Sequence, residues 1–162
     1  MDTAQSIGGL DLKLFEKAEK SFQAADHVTY IVYPLLKDTK LLKKSLEEVF
    51  ISVTNLVNSI LVFEQKNQRI RLSPDKKQNL GAFKAICQRM DISEPECALL
   101  LEMIELNEKH QKSPSEFMRN EKILILLDNT RIETISLEKL KSFINILKSS
   151  IEKFKIYKER KF

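Results

Sequence analysis

Apolar residues recur along this chain at alternating steps of three and four. Over residues 10–36 the stripe is Phe15, Ala18, Phe22, Ala25, Val32 and Leu36, with Thr29 in one slot. That spacing places one apolar face on one long helix. Over 40–68 it is Leu42, Leu46, Val49, Val53, Leu56, Ile60 and Phe63, widened by Phe50, Val57 and Leu61. A helix apolar over so much of its girth belongs in the middle of a bundle. Only Lys37, Asp38 and Thr39 join the two, so they fold back as an antiparallel hairpin with arms of roughly 40 Å. Asp38 or Thr39 can cap the second arm. Pro34 is expected to kink or stop the first, because it lacks an N–H and crowds the preceding turn. A third long stripe, Leu137, Leu140, Ile144, Leu147, Ile151 and Phe154, starts near Ser136.

Shorter elements fill the middle. Ser73-Pro74-Asp75 reads as a helix start, with Ser73 as cap and Pro74 in the first turn. That helix carries Leu80, Phe83, Ile86, Cys87 and Met90. Gly81 inside it costs about 1 kcal/mol relative to Ala, which suggests close packing there. Ser93 and Glu96 form a capping-box pair that opens the next helix, to about Lys109, and Ser113 and Glu116 form another around Pro114. The run at 122–127 fits either the end of that fifth helix or a short buried strand, and helix is preferred. Asp128-Asn129-Thr130 reads as a turn. The expectation is an all-α fold, an antiparallel bundle of five to six helices led by a long helical hairpin. Residues 1–9 are expected to be a frayed tail and 10–162 a single domain.

Composition agrees. Three Gly and four Pro in 162 residues leave little material for the many turns of a sandwich or barrel. Hydrophobic residues at 43% and charged residues at 31% exclude wholesale disorder. The start of the chain has no basic-then-apolar signal pattern, and no run of 18 apolar residues occurs. Cys87 and Cys97 are too few for a disulfide framework or a four-cysteine zinc site, so they read as reduced core thiols of a cytoplasmic protein.

The net charge of +4, from 27 basic and 23 acidic residues, is mild. The pI near 9.0 directs attention to nucleic acid all the same. Residues 86–101 match the hydrophobic positions of a helix-turn-helix. The early residues of its second helix are Glu94, Pro95 and Glu96, which repel phosphates and offer no donor to base edges. The basic connector is a better phosphate site: Lys66, Arg69 and Arg71, then Lys76 and Lys77 at a helix N-terminus. It lacks interleaved aromatics for base stacking. The C-terminal Lys153, Lys155, Lys158, Arg160 and Lys161 form a second basic tract.

Other chemistries lack their residues. Di-iron bundles need Glu three residues before His, whereas His27 and His110 follow Ala24 and Asn107. Glu102 and Glu105 share a helix face without a third ligand. No phosphate-binding loop or dinucleotide fingerprint occurs. No cofactor, metal or membrane partner is therefore expected. The polar stretch at 110–120 offers His110, Lys112 and Arg119 as a partner surface. A long leading hairpin followed by shorter helices resembles the layout of HEPN domains, many of which are ribonucleases. Their signature is Arg, four to six residues, then His. Neither His27 nor His110 is so preceded, so the resemblance implies a non-catalytic relative. The leading expectation is a non-enzymatic interaction or scaffold protein, homodimeric through an exposed heptad face. The alternative is a weak RNA or DNA binder using the connector and tail, and the third class is a HEPN-like ribonuclease without the usual motif.

Overall fold

A computed structural model describes residues 3–112, 116–126 and 131–160. The chain runs α1 (Thr3–His27), a π-helical turn (Val28–Val32), α2 (Tyr33–Leu36), α3 (Lys40–Lys66), α4 (Lys76–Arg89), α5 (Glu94–Lys112), β1 (Glu116–Arg119), β2 (Lys122–Leu126), β3 (Ile132–Ser136) and α6 (Leu137–Glu159). It is a helical bundle led by the α1–α3 hairpin, with a small sheet inserted before the last helix. α1 is helical from Thr3, so it reaches into the 1–9 segment expected to be a frayed tail.

The hairpin is held by a seam of small residues. Ser45, Ser52 and Ser59 stand seven apart on α3 and are fully buried. Each hydroxyl donates to a carbonyl of α1: Ser45 to Ala25 (3.2 Å), Ser52 to Ala18 (2.8 Å) and Ser59 to Asp11 (2.7 Å). The acceptors are also seven apart and run in the opposite direction, as antiparallel helices require. Ala18 and Ala25 have no exposed surface. Small side chains on both helices let the backbones come close enough for these bonds, each worth about 0.5–1.5 kcal/mol net.

α3 is the central helix. By length and hydropathy alone it could cross a membrane. Instead Leu42, Leu46, Val49, Val53, Leu56 and Ile60 are buried in the core beside Leu140, Phe143, Ile144, Leu147 and Phe154 of α6. Phe154 meets Phe15 and Phe63 edge-to-face, at 5.5 and 5.7 Å between centroids. Most of the three sequence stripes turns inward here, and the exception is Leu36 at the end of the first, which is exposed.

Within the helix expected from Ser113 through the 122–127 run, Glu116–Arg119 and Lys122–Leu126 are strands instead. β1, β2 and β3 form an antiparallel meander in that order, with Met118 opposite Ile123 and Ile123 opposite Ile135. Ile123, Ile125 and Ile135 enter the core, a period of two along β2 that a helix cannot present. Asn120 and Glu121 both have positive φ, 51° and 63°, which is the turn a two-residue hairpin needs and which breaks any helix. Ser113, Pro114 and the Asp128–Thr130 turn lie outside the described residues.

The caps at Ser93 and Ser136 stand where expected, the one at Ser73 is displaced, and Glu116 of the second expected capping box lies in β1. Ser93 N–H donates to Glu96 Oε1 (3.1 Å), and Glu96 N–H donates to Ser93 Oγ (3.3 Å). Ser136 Oγ accepts from Lys139 N–H and opens α6. For α4 the cap is Asp75, not Ser73. Asp75 accepts from Lys77 N–H, Pro74 precedes the cap, and Ser73 Oγ accepts from Asp75 N–H. Pro34 does not end the first arm. The π-helical turn before it carries the bond from Tyr33 N–H to Val28 O, and the helix continues to Leu36 before Lys37 turns left-handed at φ 54°. Gly81 has no close neighbour: a Cβ there would meet nothing of the chain within 4 Å.

Ser52→Ala is expected to lower the unfolding free energy by about 1 kcal/mol by orphaning a tight seam. Ser52→Leu is expected to lower it by about 3 kcal/mol, because the larger side chain forces the backbones apart. Urea titration of both variants checks the order, and equal losses would contradict the close approach.

Candidate functional site

The expected phosphate site divides. Lys66 Nζ lies 3.5 Å from Asp11 Oδ1, and Asp11 is buried. Arg69 pairs through Nε with Glu64, which is fully buried in α3. Tyr157 OH also donates to Glu64, and Arg89 Nη2 stands 3.7 Å away. The Arg69 guanidinium covers the rings of Phe63 (5.5 Å) and Tyr157 (5.7 Å). Arg160 closes the group: Nη1 donates to the Arg89 carbonyl (2.8 Å), Nη2 donates to Asp91 Oδ2 (2.9 Å), and the guanidinium stacks over Tyr157. One buried carboxylate thus ties the connector, the end of α4 and the end of α6 to α3. Burial and the adjacent Glu64 carboxylate push the Tyr157 phenol above its usual range. Arg71, Lys76 and Lys77 remain exposed.

The basic tail is engaged in the same way. Lys153 reaches Glu96 (3.1 Å) and Lys155 reaches Glu19 (2.7 Å). Lys158 lies over Phe15 (3.9 Å), where burial lowers its pKa despite nearby Asp11 and Glu19. Glu96 shows the reverse balance. Burial alone would raise its pKa, but the Ser93 N–H and hydroxyl and the Lys153 ammonium together hold it low. Lys161 lies outside the described residues.

The proposed partner residues fall in different neighbourhoods. His110 packs on Phe50, 5.6 Å between rings, above a shallow hollow shared with Glu47, Ile51 and Asn107. Lys112 is exposed at the end of α5. Arg119 is exposed beside the Asn120–Glu121 turn. That turn is pinned to the tip of the helical hairpin, because Tyr33 OH donates to Glu121 Oε1 at 2.6 Å. The bond, burial and the Glu121 charge push the Tyr33 phenol up to about 12.

Beside Tyr33 lies a surface the stripe analysis missed. Leu35 is 79% exposed, Leu36 66% and Ile31 53%, with Tyr30 at 37%. Tyr30 is steadied from α6, by Asn145 at 3.4 Å and by Lys141 over its ring at 5.4 Å. Heptad counting put Val32 and Leu36 inward. The π-helical turn inserts one extra residue, which rotates the following face by roughly 100°. Thr29 and Tyr33 take the buried positions, and Ile31 and Leu35 face out. The hint in the sequence is the crowding of apolar residues at 30–36 beyond what one stripe uses.

α4 and α5 lie antiparallel with a cavity of about 520 Å³ between them, near Cys87, Ile92, Cys97 and Leu101. Both thiols are free and buried, and Cys87 and Cys97 are close neighbours. Burial and that contact push the Cys87 thiol well up, which keeps it protonated and a poor nucleophile. Among the described residues no group of three or more His, Cys, Asp or Glu could hold a metal ion. No family model, curated protein or solved structure matches the chain.

Arg69→Met leaves the buried Glu64 charge with the Tyr157 hydroxyl and only one, more distant, cation, Arg89. We expect a loss of about 3 kcal/mol at neutral pH. Denaturant unfolding of the variant and the parent at neutral pH checks this, and equal stabilities would contradict it.

Proposed function

We propose that this chain is a non-enzymatic protein-interaction module that docks a partner through the tip of its helical hairpin. The observation that carries the reading is the contiguous exposed cluster Tyr30, Ile31, Leu35 and Leu36. Isolated apolar residues on a surface need no explanation, but a contiguous patch of large ones marks a contact site. Ile31 and Leu35 stand one turn apart and Leu36 follows, so they present one apolar face. The patch is also stiffened from beneath. The Tyr33–Glu121 bond and the Asn145 and Lys141 contacts to Tyr30 fix its base, which lowers the ordering cost of binding. Exposed Lys37, Lys40 and Arg119 stand with exposed Asp38 and Glu121 as a polar rim of mixed charge, as contact sites commonly have.

Two arguments favour this over chemistry. The buried Cys87 thiol is held protonated. Five of the cations expected to meet a nucleic acid, Lys66, Arg69, Lys153, Lys155 and Arg160, are already committed to Asp11, Glu64, Glu96, Glu19 and Asp91. Free buried thiols fit a reducing cytoplasm.

Photocrosslinking from position 35 in intact cells checks the reading. A discrete crosslinked partner is expected, abolished by Ile31→Asp combined with Leu36→Asp while the melting temperature holds. Adducts no different from those at exposed position 138 would overturn it. Retention of the chain on anionic vesicles through the same residues would also overturn it, in favour of a lipid surface.

A further inference from the structure

The groove between α4 and α5 continues along both helices, from Lys76 and Glu108 at one end to Gln88 and Glu94 at the other. Its two walls carry opposite charge. Lys76, Lys77 and Lys84 stand on α4; Glu94, Glu105 and Glu108 stand on α5. Five of these six make no ion pair among the described residues, and Glu105 meets only Lys109 of its own helix, at 3.1 Å. The floor holds half-buried Leu80, Leu101 and Ile104, with exposed Gly81 and Ala98 between the walls.

Gly81 is the second observation. It lies inside α4, where glycine weakens the helix, and its backbone has no positive φ that would require it. The space where a side chain would stand is open, with nothing of the chain within 4 Å. What glycine offers at such a point is close approach by another molecule.

A second copy of this chain fits both observations. Turn an identical groove face-to-face about a two-fold axis running along its length. α4 of the copy then lies across α5 of the first chain at the same height. Its Lys76 and Lys77 come opposite the stretch that carries Glu105 and Glu108, and its Lys84 stands about one turn from Glu105. The same contacts recur in reverse, as an isologous interface demands. We infer that the α4–α5 groove is a self-association face, closed by reciprocal lysine–glutamate rows over the Gly81 notch. The face shares no residue with the hairpin tip, so it stands or falls separately from partner docking there.

Charge exchange tests it on the full chain. By sedimentation equilibrium the parent is expected to be a dimer at low ionic strength, weakened about tenfold or more at high salt. Lys77→Glu with Lys84→Glu should be monomeric, and so should Glu105→Lys with Glu108→Lys. Mixed together, the two variants should pair with each other, since each then meets opposite charge on both walls. Gly81→Leu should abolish the dimer without lowering the melting temperature. A parent chain that is monomeric at low salt would overturn the inference, as would a dimer indifferent to both exchanges or a mixture that fails to pair.

Discussion

The close approach of α1 and α3 is the constraint on which the rest of the fold depends. Ser45, Ser52 and Ser59 bring three hydroxyls into an apolar interior, where an unpaired hydroxyl would cost more than the burial returns. Each is satisfied by an α1 carbonyl, and the partners Ala25, Ala18 and Asp11 leave room for it. A seven-residue repeat of small polar residues therefore sets both the separation of the hairpin arms and their register. With those arms tight, α3 turns its remaining apolar width toward α5 and α6, and Phe154 of α6 can wedge between Phe15 and Phe63.

Two joints of the fold rest on charge. At one end, Glu64 gathers Arg69, Arg89 and Tyr157, and Arg160 closes over them. At the other, Tyr33 binds Glu121 and holds the strand turn to the helical hairpin. Both joints fasten a late segment of the chain to an early one. Their consequence for function is that Lys66 and Arg69 of the connector and Lys153, Lys155 and Arg160 of the tail are paired within the chain, while Arg71, Lys76 and Lys77 stay exposed. The surfaces left with unmet demands are of other kinds: the apolar tip around Leu35, and the α4–α5 groove with its opposed charged walls.

Much of this was legible in the residues alone. Three apolar stripes at helical spacing determined the long helices and which of them is central, because burying a stripe is the dominant energy and its period depends only on backbone geometry. Ser93, Glu96 and Ser136 determined helix starts, because capping acts within a single turn. Thiols without partners in the sequence remained thiols. Tertiary structure decided what lies opposite each residue, and it overrode local preference where the two differed. The 122–127 run could serve either period, and pairing with β1 and β3 around the left-handed Asn120–Glu121 turn made Lys122–Leu126 a strand. The phase of the stripe at 28–36 depended on one inserted residue in a π-helical turn, which periodicity cannot register, and so Leu35 and Leu36 came to face outward. Arg69 read as a solvent-facing cation because its partner Glu64 lies within an apolar stripe. Only the reversal of the chain at Gln68, with φ 61°, brings the two together. A sequence reports the chemistry of each face, and the distance between faces is set by the fold.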